Sequence, residues 1–504
     1  MDVIALLATG FAESLSPLNL VVILVGVTAG LFIGAMPGLG SVNGVAILLP
    51  LTFVVPPASA IIFLGAVYYG AMYGGAISSI LLGIPGASTA VATTFDGRPM
   101  AQNGQAGLAL IAAATASFVG GTISVLLFTA FAVPLAEWAL AFGPAEEFAL
   151  VLLAFTTFVG LGGDDVLKTI LMICLGLVLS TVGLDLISGA PRLVFFDLPG
   201  FYAGIGFLVL AIGVYGVGEV LWTLEQTRGA PAVTPVRVGL RDVGRGIRAL
   251  RSTLGTMSVG SLLGFFVGTL PAAGATPASL MAYGIARSSS KTPERFGKGA
   301  VEGVVAPEAA NNAASTGSLL PMLTLGIPGS PTTALLLGGM VMWGLTPGPL
   351  LFTTEPGFVW GLISSLYTAN VFALAVNLAL IPVFVWALRT PFAVLCAMVL
   401  VLCLIGGYAP DQRMHDVWLI VIFGVAGYLL RKCDYPLAPL VLALVLGPLM
   451  ERSLRQALIS AQGDPLIFIE RPISATLIAA SLALFALPLV KLWRRRRAER
   501  APAE

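Results

Sequence analysis

The feature that most limits what this chain can become is its succession of apolar segments. They run at 17–36, 42–56, 58–84, 106–136, 144–162, 166–187, 200–224, 253–271, 273–286, 301–326, 331–345, 357–387, 391–408, 414–430, 436–450 and 472–490. Roughly 20 apolar residues cross the hydrocarbon core of a bilayer; several segments are that long, and others are short enough to be half-helices or hairpin arms. Only 10% of the chain is charged and its mean hydropathy is +0.97, against about 25% charged residues in soluble domains. An aqueous core cannot hide that excess, so the expected fold is an all-α polytopic membrane protein. Disorder, a nucleic-acid-binding surface and a secreted disulfide scaffold are excluded together. Cys174, Cys396, Cys403 and Cys433 lack metal-ligand spacing and His415 is the single histidine. No haem, zinc or redox cofactor is therefore expected.

Basic residues set the expected orientation. One cluster comprises Arg228, Arg237, Arg241, Arg245, Arg248 and Arg251, and a second Arg287, Lys291, Arg295 and Lys298. Arg431-Lys432 and a tail with Lys491 and Arg494–Arg497 follow. The positive-inside rule makes these cytoplasmic, and span counting then puts Arg98 on the same side. Of the 26 Lys and Arg residues, only Arg192, Arg413, Arg452, Arg455 and Arg471 fall outside. Topogenesis alone accounts for these runs, with lipid headgroups as minor partners of the tail. The first fifteen residues carry Asp2 and Glu13 but no Lys or Arg, so the basic region of a cleavable signal peptide is missing. The expected placement is N-terminus outside and C-terminus cytoplasmic.

An internal echo adds detail. Gly34-Ala-Met-Pro37-Gly38-Leu-Gly40 recurs as Gly268-Thr-Leu-Pro271-Ala-Ala-Gly274, 234 residues on, and Leu82-Gly-Ile-Pro85-Gly86 as Leu325-Gly-Ile-Pro328-Gly329, 243 on. Proline removes a donor and glycine admits positive φ, so each motif is expected to break a helix. A restarted helix aims bare N–H groups and partial positive charge into the gap, while the preceding carbonyls face it with the opposite sign. Gly 59 and Pro 33 in 504 residues exceed the usual shares near 7% and 5%, and breaks paired between halves are the signature of a transporter's midplane site. Span counting gives the halves opposite hand: two inverted-topology repeats with discontinuous helices and re-entrant hairpins. The expected division is 1–224 (broken-helix core 17–105, flanking helices 106–224), a basic cytoplasmic linker 225–252, 253–490 (core 253–356, flanking helices 357–490) and a basic tail 491–504.

Polar residues crowd the breaks. Ser41, Asn43, Ser78, Ser79, Ser88, Thr89, Thr93 and Thr94 stand in the first half; Thr276, Glu308, Asn311, Asn312, Ser315, Thr316, Ser318, Ser330, Thr332 and Thr333 in the second. Hydroxyl and amide oxygens are hard ligands suited to Na⁺, and the same groups donate to carboxylates. Glu308, followed by Asn311-Asn312, is either a cytoplasmic-edge cap or an ion-coupling group. Asp96-Gly-Arg98 is expected in a loop after the second break, and beyond Arg98 no basic residue lies near either first-half break in sequence.

The runs G-A-M-P-G-L-G (34–40), Y-Y-G-A-M-Y-G-G-A-I-S-S-I-L-L-G-I-P-G (68–86) and T-F-D-G-R-P-M-A-Q (94–102) resemble the large membrane subunit of tripartite tricarboxylate transporters, the TctA type. So do G-V-V-A-P-E-A-A-N-N-A-A-S-T-G-S-L-L-P-M-L-T-L-G-I-P-G (303–329) and G-L-T-P-G-P-L-L-F (344–352). The resemblance covers most of 17–390. It implies a bacterial inner-membrane system in which a periplasmic solute-binding protein delivers a di- or tricarboxylate, with a small four-helix membrane subunit as second partner. It also implies uptake driven by a cation gradient, commonly Na⁺ with H⁺ as the alternative. Arg98 departs from the family pattern, in which another residue often follows Asp-Gly.

These readings combine into alternating access, with elevator and rocking motions both open and a homodimer as the expected assembly. Gly38, Gly40, Ser41, Asn43, Pro85, Gly86, Ser88, Thr89, Pro328, Gly329, Ser330, Thr332 and Thr333 are the expected carboxylate-binding residues. Asn43, Asn311, Asn312, Ser315 and Thr316 are the expected Na⁺ ligands, and Asp96, Arg98 and Glu308 the expected gating or coupling group. Rival readings are a passive anion channel, a stand-alone carboxylate transporter and an intramembrane enzyme. The last lacks a histidine near its serines; no H-E-x-x-H occurs, and Asp164-Asp165 suits a helix cap better than a catalytic dyad.

Overall fold

The protein is described by a computed structural model over residues 3–161, 165–185, 188–194, 199–226, 240–271, 273–388, 392–410 and 412–499. The first half comprises α1 (Val3–Ser14), α2 (Pro17–Ala35), α3 (Gly40–Leu48), α4 (Pro57–Leu82), α5 (Val91–Met100), α6 (Ala106–Ala139), α7 (Pro144–Leu161), α8 (Val166–Ser180) and α9 (Phe207–Glu225). The second comprises α10 (Leu240–Thr269), α11 (Ala275–Ser288), α12 (Glu302–Leu325), α13 (Pro331–Met342), α14 (Pro356–Ala379), α15 (Phe392–Tyr408), α16 (Met414–Lys432), α17 (Leu437–Ser460) and α18 (Pro472–Glu499). Seven described helices are long and apolar enough to cross a membrane, counting the kinked run Ser88–Ala139 as one. The chain is an all-α polytopic membrane protein. Its described sheet is one two-stranded ladder, Gly183–Leu184 against Pro191–Arg192.

Several boundaries differ from those expected. The amphiphilic start of the chain forms α1, too short to cross alone, which packs Gly10 against the Trp360 backbone of α14. The segment expected at 166–187 ends as a helix at Ser180, where the chain turns into the small ladder. Pro382 divides 357–387 near Leu380, and α17 continues three turns past 450 to Ser460. Asp96-Gly-Arg98 lies within helix α5, not in a loop. Arg228 and Arg237 of the basic linker lie outside the described residues; its last part is the start of α10, and α18 runs on beyond 490.

The echoed motifs fold into repeated packing. A β-carbon on Gly30 or Gly34 of α2 would collide with the carbonyl oxygen of Val67 or Ala71 on α4. On α10, 234 residues later, Gly264 and Gly268 meet the carbonyls of Ala310 and Ala314 on α12, 243 residues after their counterparts. Gly74 against Leu31 recurs as Gly317 against Phe265, and Gly86 over the Gly34 carbonyl as Gly329 over that of Gly268. Small residues let the backbones close to this distance. Both α2–α4 and α10–α12 pairs therefore run parallel, each with a shorter returning helix between them in sequence.

The equivalents α4 and α12 themselves pack antiparallel, since Tyr68, Tyr69 and Met72 meet Ser318, Thr316 and Asn311 respectively. Charged residues of the flanking helices and of the small ladder pair with one another. Arg192 and Arg455 bridge Asp185 and Glu451 at 2.6–3.1 Å, and Arg471 holds Glu146 at 2.5 Å. Burying a larger residue at the α2–α4 contact is expected to force the pair apart. Gly34→Val should lower the thermal midpoint in detergent, at a cost of about 1–3 kcal/mol. Gly284→Ala, whose β-carbon meets nothing within 4 Å, should leave it unchanged; equal losses in both would contradict the packing argument.

Candidate functional site

Four helix breaks converge between α4 and α12. At the first, α2 stops at Ala35, Gly38 and Gly40 take φ of +85° and +61°, and α3 restarts at Gly40. At the second, Gly83 ends α4 in the left-handed region and Gly86 folds back over the Gly34 carbonyl before the turn at Ser88–Ala90. At the third, Gly274 has φ of +64° and its N–H donates to the Gly329 carbonyl at 3.1 Å. At the fourth, Gly326 repeats the left-handed stop and Ser330 opens α13 with a capping box to Thr333.

The breaks are joined across the halves by hydroxyl pairs. Ser41 Oγ lies 2.9 Å from Thr332 Oγ1, linking first to fourth, and Ser88 Oγ lies 3.2 Å from Thr276 Oγ1, linking second to third. The N-termini of α3 and α13, with their free N–H groups, are thereby brought to the same buried region. Along α4, Gly75 marks this level through its contact with Gly86. That is about 10 Å short of the helix's end at 1.5 Å per residue, so the breaks sit below the end of the span.

The expected carboxylate-binding residues divide by what they already do. Ser41, Asn43, Ser330, Thr332 and Thr333 are buried, and Pro85, Gly86, Ser88, Thr89, Pro328 and Gly329 line the two later breaks. Ser330 and Thr333 spend their hydroxyls on each other's backbone N–H at 2.9–3.2 Å. Asn43 Nδ2 makes only a long contact, 3.5 Å, to the Gly38 carbonyl. Among the expected Na⁺ ligands, Ser315 and Thr316 donate back to the Asn312 carbonyl. The Oδ1 atoms of Asn311 and Asn312 are buried and have no hydrogen-bond partner. Buried orphan acceptors of this kind fit a cation.

Tyr68 is a site residue that inspection of the sequence missed. Its hydroxyl lies 3.2 Å from Ser318 Oγ and 3.3 Å from Ser330 Oγ, beside the fourth break. Tyr68 and Tyr69 stand 243 residues before Asn311 and Asn312, so the repeat register itself was the available signal. Tyr69 pairs with Thr316, and Tyr73 donates to Asn370 Oδ1 on α14 at 2.5 Å.

Charge is placed differently from the linear reading. Arg98 Nη1 donates to the Leu81 carbonyl and its chain packs on Gly83, so it covers the C-terminus of α4. Arg431 is brought near the first break by folding: it pairs with Glu219, and a β-carbon on Gly38 would lie 3.5 Å from Glu219 Oε1. Arg98 remains the basic residue near the first-half breaks in sequence, and folding adds Arg431 because α16 and α9, remote in sequence, pack beside Gly38. His415 packs edge-on against Phe201, with ring centroids 4.7 Å apart. Asp165 caps α8 through the Lys168 N–H at 3.2 Å; Asp164 lies outside the described residues.

A protein-family match now bears on the arrangement. Residues 20–442 match the family described as Tripartite tricarboxylate transporter TctA family. The chain belongs to that family. A protein of Agrobacterium vitis described as "Uncharacterized 52.8 kDa protein in TAR-I ttuC' 3'region" is 39% identical over 501 residues, covering 99% of this chain and 98% of that one. A second from the same organism, "Uncharacterized protein in TAR-II ttuC' 3'region", is 40% identical over 234 residues, which is 46% of this chain and 97% of its own length. No solved structure matches. Membership makes this TctA chain a component of a tripartite transporter, a family of transport proteins and not of enzymes.

Asp96 of this TctA chain joins the halves. Its Oδ1 accepts from the Gly299 and Ala300 N–H groups, both at 2.8 Å, and its Oδ2 from Tyr283 Oη at 3.0 Å. Asp96→Ala takes the acceptor from all three donors, at about 1–3 kcal/mol for the buried Ala300 N–H left unmade and less for the partly exposed Gly299 and Tyr283. The expected result is a lower thermal midpoint and faster proteolysis within 289–300. Wild-type protection of that segment would count against the staple.

Proposed function

We propose that this subunit carries out cation-coupled uptake of a di- or tricarboxylate by alternating access, with Na⁺ as coupling ion, in a bacterial inner membrane. The substrate is handed over by a periplasmic solute-binding protein, and a small four-helix membrane subunit accompanies the chain. The observation that carries this reading is the convergence of four helix breaks, cross-linked by Ser41–Thr332 and Ser88–Thr276, between antiparallel α4 and α12. Recurrent packing at offsets of 234 and 243 residues, together with that antiparallel crossing, supports two inverted-topology repeats about this region. Two halves of opposite hand give one site two equivalent exits, which is what alternating access needs.

Carboxylate recognition falls to N–H groups and hydroxyls at Gly38–Asn43, Gly86–Thr89 and Gly329–Thr333. Helix N-termini favour anions without a fixed cationic side chain. The cation is assigned to the oxygen-rich surroundings of Asn43, Asn311, Asn312, Ser315 and Thr316, where Asn311 and Asn312 carry the free acceptors. A cavity of about 880 Å³ reaches Gly326 and Ile327 at the fourth break and is bordered by Glu147, Glu355 and Arg452. Charge counting supports a periplasmic position for this mouth, where the solute-binding protein would release its cargo.

The test is reconstitution of the chain with both partners in proteoliposomes. An inward Na⁺ gradient should drive accumulation of labelled tricarboxylate above equilibrium, and dissipating the gradient should stop it. Equilibration without accumulation would instead identify a passive channel. Asn312→Ala should weaken the Na⁺ dependence of uptake, and unchanged Na⁺ dependence would remove Asn312 from the ion site.

A further inference from the structure

Glu308 lies in the second turn of α12 and its side chain is wholly buried. No ion pair to it occurs among the described residues. Thr93 of α5 donates to Oε1 at 2.5 Å and Ser117 of α6 to Oε2 at 3.2 Å, and the Asn311 amide also lies against the carboxylate. Three elements from both halves thus meet at one acidic group.

The neighbouring amides are oriented by their own bonds. Asn312 Nδ2 donates to the Glu308 carbonyl at 3.1 Å and Asn311 Nδ2 to the Met72 carbonyl at 3.4 Å. A carbonyl only accepts, so each amide nitrogen must face it, and each Oδ1 is left as the buried orphan. These residues follow Glu308 by three and four positions, on the same helix face one turn along.

A carboxylate buried without a cation is costly, and neutral hydroxyl and amide donors do not cancel its charge. A proton would neutralise it but brings one donor to two orphan acceptors. A monovalent metal ion neutralises it and binds several oxygens at once. We propose that Glu308 is the anionic ligand of a buried Na⁺ site completed by the amide oxygens of Asn311 and Asn312, with Thr93 and Ser117 as positioning residues. The proposal rests on the cation-coupled reading above and supplies the charged ligand that reading lacks. Occupancy then ties α5 and α6 to α12, so filling the site affects how the two halves hold together.

The experiment uses the purified full chain in detergent, without carboxylate, and follows thermal unfolding as NaCl replaces choline chloride at constant ionic strength. Binding to the folded state should raise the midpoint saturably. Glu308→Gln should abolish the Na⁺ response, and Ser117→Ala, which keeps the carboxylate, should weaken Na⁺ affinity about tenfold, as loss of an outer-shell partner does. Should Glu308→Gln fail to fold, Ser117→Ala and Asn312→Ala decide the matter. A wild-type midpoint indifferent to Na⁺, or variants with wild-type Na⁺ affinity, would overturn the site. So would a midpoint that follows pH alone and loses that dependence in Glu308→Gln, which makes the group a proton site. Uptake that ignores the Na⁺ gradient while Na⁺ still binds at Glu308 would defeat the coupling reading and leave the site standing.

Discussion

A helix that stops inside a bilayer strands N–H and C=O groups that lipid cannot satisfy, and protein must take the place of water around them. Here the repair depends on glycine. Gly30, Gly34 and Gly74 let α2 and α4 close to backbone contact, and Gly264, Gly268 and Gly317 do the same for α10 and α12. Only with the helices this close does the chain after Gly83 fold back so that Gly86 covers the Gly34 carbonyl, or Gly329 that of Gly268. The breaks follow from the packing, and the cross-half hydroxyl pairs follow from the breaks.

Charge is managed by the same economy. Among the flanking helices and the small ladder, Arg192, Arg455 and Arg471 are neutralised by Asp185, Glu451 and Glu146. Within the core Asp96 is satisfied by backbone donors and a tyrosine, as a joint between the halves. Glu308 differs: its donors are two hydroxyls and the Asn311 amide, its amide neighbours have spare oxygens, and nothing among the described residues opposes its charge. The contrast between a fully bonded carboxylate and an uncompensated one is what the proposed ligand role of Glu308 rests on.

Much of this was legible in the chain itself. Apolar length predicted the helices, the paired G-x-x-P-x-x-G and L-G-I-P-G motifs predicted all four stops, and the runs at 68–86 and 303–329 pointed to the TctA family that residues 20–442 match. Helix ends were less legible, because Ser180, Leu380 and Ser460 terminate helices through local turns and packing that hydropathy does not record. Asp96 and Arg98 were misplaced into a loop for a related reason. Glycine and proline weaken a helix in isolation, yet here bonds donated to Asp96 by the Gly299 and Ala300 N–H groups, and by Arg98 to the Leu81 carbonyl, accompany helical α5.

By itself, then, the sequence determined the solvent, the helical class, the positions of the breaks and the family, since each depends on residue type and local spacing. Tertiary structure alone decided which groups meet: Ser41 with Thr332, Tyr68 with Ser318, Glu308 with Thr93 and Ser117, and Glu219 with Arg431 beside Gly38. The reason is physical. Stops and spans are properties of the local backbone, whereas a binding site is made by close approach between helices hundreds of residues apart.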